Sequence, residues 1–232
     1  MNMFTIVVGV ILLVAVFAFQ IAKRITLNNL IKSLKNKQYE ETIAIASKPL
    51  SSKLLTSYLC DLYKARAYYN AKDETSFIKQ IDEMLEANYN EDQEKTFLDL
   101  YYHVFLDRND VAYADKFLAR IKATNDASFI KYNEQAYEVM INKRTDLIEI
   151  MDAQMETDKY YGFPLGVIVY MIAMQYLALG DIENAHIYFT SSLTCFHPSD
   201  FYVAKAKAQI KKLDEEQDAL DAQEALKTIE TA

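Results

Sequence analysis

Residues 3–22, MFTIVVGVILLVAVFAFQIA, are almost wholly apolar, and no charged side chain occurs before residue 23. Twenty helical residues rise about 30 Å, the hydrocarbon thickness of a bilayer. The pattern predicts a transmembrane helix over 1–22, with membrane contact through residues 3–22. A cleaved signal peptide is the competing reading. Val16-Phe17-Ala18 would serve as its cleavage site, but Met1-Asn2-Met3 supplies no basic n-region. Beyond residue 22 the pattern changes to short apolar stretches at helical spacing, interrupted by polar breaks at 36–38, 72–73, 109–110, 142–144 and 180–181. Core positions marked just after the breaks, at Ile43, Phe77, Ala114, Ile148 and Ala185, are 34, 37, 34 and 37 residues apart. A period near the length of one helix pair predicts stacked helical hairpins.

The first pair, over 25–48, offers Leu27, Leu30, Ile31 and Leu34, then Tyr39, Ile43 and Ala46, with Pro49 as its stop. The second, over 52–88, offers Ala65 and Tyr68, then Phe77 and Ile81. The third, over 91–124, offers Tyr102 and Phe105, then Ala114 and Leu118. The fourth, over 127–157, offers Ala136 and Val139, then Leu147, Ile148, Ile150, Met151 and Met155. Gly162-Phe163-Pro164 marks the turn into the fifth.

That fifth unit, residues 169–198, has Val169, Ile172, Ala173 and Tyr176 on its first helix. Ala185 and Phe189 lie on its second, and Pro198 closes it. These residues resemble the tetratricopeptide repeat, W-x2-L-G-x2-Y…A-x3-F…P. Val replaces Trp, Ala replaces Gly, and the proline falls one residue late. The resemblance implies an all-α fold: a right-handed solenoid of about five helix pairs over 23–199, following the N-terminal transmembrane helix. It also implies a scaffold that holds a protein or peptide in a concave groove lined by first-helix positions. Those positions here are Leu62, Arg66 and Tyr69; Asp99, His103 and Leu106; Asn133, Tyr137 and Met140; Tyr170, Met174 and Leu177. Family members that clamp a C-terminal carboxylate use repeated Lys and Asn, and that set is missing here.

Composition narrows this picture. Only 4 Gly and 3 Pro occur in 232 residues, too few turn-formers for a many-stranded fold. Cys60 and Cys195 stand 135 residues apart without a CxxC partner, which is no disulfide framework. Residues 1–37 hold Lys23, Arg24, Lys32, Lys35 and Lys37 and no acid, whereas the remainder carries 20 basic against 33 acidic residues. The basic cluster predicts an outside N-terminus and a cytoplasmic body. The acidic body argues against nucleic acid as a partner.

Residues 200–213 continue the helical period through Phe201, Val203, Ala206, Ile210 and Leu213, and predict a capping helix with Lys205, Lys207, Lys211 and Lys212 outward. Residues 214–232, with seven acids and one lysine, predict a frayed helix or a disordered acidic tail.

No catalytic, cofactor or metal site is expected. His103 and Asp107 share a helix face, and Cys195 and His197 are two apart, but neither pair has further ligands nearby. Phosphate-loop and nucleophile-elbow motifs are missing as well. The expectation is a membrane-anchored scaffold and not an enzyme; a constitutive assembly subunit of a membrane complex is the second reading.

Overall fold

A computed structural model describes the backbone of residues 3–198 and 200–230, and side chains at 7–198 and 200–219. The first two residues of the expected span, and the last two of the acidic tail, lie outside the described residues. Among those described, twelve α-helices and no strand form, and the chain is 80% helix. By contact it divides into two compact units, Met1–Phe97 and Leu98–Ala232. The first contains α1 (Met3–Lys35), α2 (Tyr39–Ala46), α3 (Pro49–Leu54), α4 (Ser57–Ala71) and α5 (Glu74–Glu86). α6 (Glu91–Asp107) straddles the division. The second continues with α7 (Val111–Lys122), α8 (Ala127–Met140), α9 (Ile148–Met155), α10 (Phe163–Leu179), α11 (Ile182–Ser192) and α12 (Phe201–Glu230).

α1 is 33 residues long, about 50 Å. It is near the N-terminus and is long and apolar enough to cross a membrane. Val10, Leu13, Val14 and Phe17 lie open along it. Its last turns instead enter the core of the first unit, where Leu30 joins Ala46, Leu54, Leu55, Cys60 and Tyr63, flanked by Ala22 and Leu27.

Four of the polar breaks form the same joint. Lys37, Lys72, Asn109 and Gly180 adopt positive φ (60°, 61°, 54° and 77°). The next residue's N–H reaches back five residues, as in Asp73 to the Tyr68 carbonyl (3.1 Å), Asp110 to Phe105 (3.0 Å) and Asp181 to Tyr176 (3.0 Å); Gln38 does the same to Ser33 (2.9 Å). This satisfies carbonyls that a helix end leaves open. Asp73, Asp110 and Asp181 then cap the following helix, their carboxylates accepting from the backbone N–H of Ser76, Tyr113 and Asn184. One residue thus ends one helix while starting the next. Glycine suits such a joint, and lysine tolerates it at a steric cost. The fourth break also carries a positive φ, at Lys143 (56°), but the chain runs on to Leu147 before α9 begins.

The fully buried residue four beyond each cap is Thr42, Phe77, Ala114, Met151 and Ala185, 35, 37, 37 and 34 residues apart. Two of the expected marks are therefore displaced. Ile43 is half-buried beside Thr42, whose hydroxyl meets Ser33 Oγ at 2.8 Å. Ile148 is half-buried while Met151 fills the core. Likewise Ile31 and Ile150 are exposed, and Phe117 and Ile121 are buried where Leu118 is only half so. In each case the helix phase turns the expected side chain off the contact face. On the first helices, Leu30, Ala65, Tyr102, Ala136 and Ala173 are wholly buried.

Pro49 does more than stop α2: it opens α3, an element absent from the expected pairs. Proline's fixed φ and missing N–H suit a first helical position. In the second unit α10 packs on α8, α9 and α11. It is apolar all round because Gly166 to Ala173 are all buried. Gly166 permits the close approach of Phe196: a Cβ there would stand 2.5 Å from the ring. α12 runs unbroken to Glu230, so no change of secondary structure separates 200–213 from the acidic segment. Residues 214–219 are exposed along it.

Candidate functional site

The twelve residues implied as groove positions fall into two groups. Leu62, His103, Leu106, Asn133, Met140 and Tyr170 are buried. Arg66, Tyr69, Asp99, Tyr137, Met174 and Leu177 are half-buried and reach solvent.

In the first unit α4 carries Leu62, Arg66 and Tyr69. Leu62 faces the interior, the Arg66 guanidinium stands 5.9 Å from the Tyr63 ring centre, and the Tyr69 ring meets Phe77 at 5.3 Å. One turn earlier, Asp61 accepts a hydrogen bond from the Tyr89 hydroxyl (3.0 Å) and pairs with Lys64 (2.7 Å).

In the second unit the structure gathers Asp99, His103, Asn133 and Tyr170 around a residue that the helical period did not single out, Tyr202 on α12. Its hydroxyl lies 2.9 Å from His103 Nδ1, and its ring is 4.5 Å from that of Tyr170 and 5.6 Å from that of Phe196. Tyr132 stacks on His103 at 6.2 Å and donates a hydrogen bond to Asp99. Tyr102 donates to the Asn133 carbonyl (3.1 Å), and Asn133 Nδ2 donates to the Phe129 carbonyl (2.9 Å). Lys205, expected on the outer face, pairs with Asp107 at 2.8 Å while its side chain stays 42% exposed. The period through 202, 206 and 213 was the signal for Tyr202. Of the expected positions Ala206 and Leu213 are buried, whereas Phe201, Val203 and Ile210, a fraction of a turn away, are only half-buried.

Burial controls the electrostatics of this cluster. Closed off from water, His103 is held neutral, its pKa pushed down to about 3; an interaction with Asn133 works against that shift. Nε2 has no hydrogen-bond partner and stands 3.8 Å from Asp99 Oδ1. Burial pushes Asp99 up to about 7, against the Tyr132 hydrogen bond, and Asp200 adds to the rise. About a fifth of the Asp99 side chain still meets solvent, which favours a smaller rise than full enclosure would give. A neutral imidazole sealed beneath Tyr202 is a packing and latching group. To reach it, a ligand would have to displace α12.

Other candidates are dispersed. Asp107 is engaged by Lys205, and the backbone N–H of His197 donates to Asp200. Among the described residues no group of three or more His, Cys, Asp or Glu side chains could hold a metal ion. Burial raises the pKa of the Cys60 thiol, which disfavours the reactive thiolate. A cleft of about 500 Å³ lies between α11 and α12, bordered by Ile187, Leu213 and the His186–Asp214 pair (3.0 Å).

Comparison with protein-family models, with curated proteins and with solved structures found no match.

Proposed function

We propose that this protein is a membrane-anchored, tetratricopeptide-like scaffold that holds a protein or peptide segment and keeps it at the membrane. Its N-terminus is outside and its body cytoplasmic. The observation that carries the reading is the recurrence of one helix-to-helix joint at 37–38, 72–73, 109–110 and 180–181, each followed four residues later by a wholly buried core residue. Repeated hairpins that share faces are the building plan of binding solenoids. An exposed apolar helix ahead of them supplies the anchor.

The partner contacts fall to the half-buried members of the expected set. Tyr137 and Met174 combine contact area with a polar or adaptable end, and Arg66 adds a cation. Photocrosslinkers at positions 66, 137 and 174 of the full chain in native membranes test this. Capture of one partner that is lost in a Tyr137→Ala/Met174→Ala variant supports the scaffold. Protease applied to intact cells should spare the body, and digestion from outside would reverse the orientation.

The second reading, a constitutive assembly subunit, is favoured by Tyr202 covering His103 and Tyr170 with the chain's own helix. Under it, the lasting contacts lie on outward surfaces such as exposed Ile187. Crosslinks obtained only from position 187 would select it.

A further inference from the structure

The first unit places a second cationic and apolar surface beside the foot of α1. From residue 22 to its end at Lys35 α1 rises about 20 Å, and α4 rises about 21 Å from residue 57 to residue 71. Both upper ends border one cavity, lined by Lys37, Tyr39 and Ala71 among others. α4 packs on α1 and α2, so its lower end returns to the level of Ala22. Ala22 itself packs against the core cluster that contains Leu54 and Leu55. α2 falls about 10 Å from Tyr39 to Ala46, and α3 packs on α1 and ends in that cluster at Leu54, so the corner and α3 lie along the lower part of α1, within about 10 Å of the end of its apolar stretch.

That corner is open. Lys48, Leu50 and Lys53 are exposed, Leu50 at 64%, and on α1, against which α3 packs, so are Lys23, Arg24 and Ile25. No acid occurs from residue 42 to residue 60, and among the described residues none of these four cations forms an ion pair. Lys32, Lys35 and Lys37 are different. Lys32 and Lys35 lie about 15 and 20 Å beyond Ala22 along α1, and Lys37 follows in the turn after it, all beyond the roughly 8 Å reach of charge in physiological salt. The basic cluster of the sequence thus splits in two, and the fold replaces its distant members with Lys48 and Lys53.

Resting on the reading of α1 as a bilayer span, we propose that this corner is a membrane-docking surface. It seats Leu50 and Ile25 at the interface, with Lys23, Arg24, Lys48 and Lys53 on anionic phospholipid headgroups. The span continues directly into the patch, which fixes its depth. Each cation near an anionic surface strengthens contact about fivefold. The docked corner would hold the first unit at a set angle to the membrane instead of letting it swing.

The test uses the full chain in nanodiscs, with Cys195→Ser and a fluorophore on Leu50→Cys, Val14→Cys or Ile187→Cys, and with brominated lipids as quencher. Val14 is expected to be quenched in any lipid and Ile187 in none. Leu50 is expected to be quenched in phosphatidylserine-containing discs, with loss of quenching in phosphatidylcholine alone and in Lys48→Glu/Lys53→Glu. If Leu50 behaves like Ile187 while Val14 is quenched, docking is overturned and the span stands. Equal quenching of Leu50 in both lipids overturns headgroup recognition. An unquenched Val14 overturns the span and the docking together.

Discussion

His103 and Asp99 make opposing, separable contributions to stability as pH changes. The unfolded chain protonates His103 near its ordinary value of 6.5, whereas the folded chain resists protonation to about 3. A depressed histidine pKa means that the unfolded state binds more protons between those values, so this contribution is lost as pH falls. Between pH 7 and pH 5 the loss is about 2 kcal/mol. Asp99 runs the other way. Its folded pKa is raised from 3.8 to about 7, so its carboxylate costs stability as pH rises through that window and returns it on acidification. Partial exposure trims this to about 1 to 2 kcal/mol over the same interval. In the wild type the two nearly cancel, and substitution uncovers each. Asp99→Asn should lose about 1 to 2 kcal/mol relative to wild type on going from pH 7 to pH 5. His103→Gln should gain about 2 kcal/mol, and the double variant should track the wild type. Urea denaturation of the full chain in detergent, followed by far-UV circular dichroism, reads all four proteins. A His103→Gln profile parallel to wild type would mean that the imidazole ionises in the folded state, and the picture of a sealed neutral latch would be wrong.

Substitutions at four further positions probe the joints and the core. Lys37→Gly removes a side chain from a left-handed position and should stabilise by about 1 kcal/mol in thermal denaturation, where Gly180→Ala should lose a similar amount. Asp110→Ala removes the cap of α7 and should cost about 1 kcal/mol, with Asp110→Asn retaining most of the stability. Gly166→Ala ordinarily favours a helix, yet here the new methyl meets the Phe196 ring and should destabilise by about 1 to 3 kcal/mol in the same measurement.

Much of this architecture follows from local chemistry and is therefore legible in one dimension. An uncharged apolar run predicts α1 because length and hydropathy need no tertiary partner. The five polar breaks all became connections with a positive φ, since helix termination and capping are decided by a few adjacent residues. The break at Gly180-Asp181 had both preferred residue types, and Lys72-Asp73 shows the same joint made without glycine.

Which side chains face inward depended on the fold. Thr42 took the place of Ile43 because a one-residue step rotates a side chain by about 100°, and Met151, itself expected in the core, is wholly buried about 60° round the helix from half-buried Ile148. α3 went unread, since six residues are too short to show a period. The implied groove shows the same limit. Asp99, His103, Asn133 and Tyr170 do converge, but Tyr202, up to 103 residues away in the chain, closes over them. No local pattern encodes that contact. Hydropathy states that a side chain is apolar or aromatic, whereas only the packing of distant helices determines whether it is left open to a partner or covered by the chain itself.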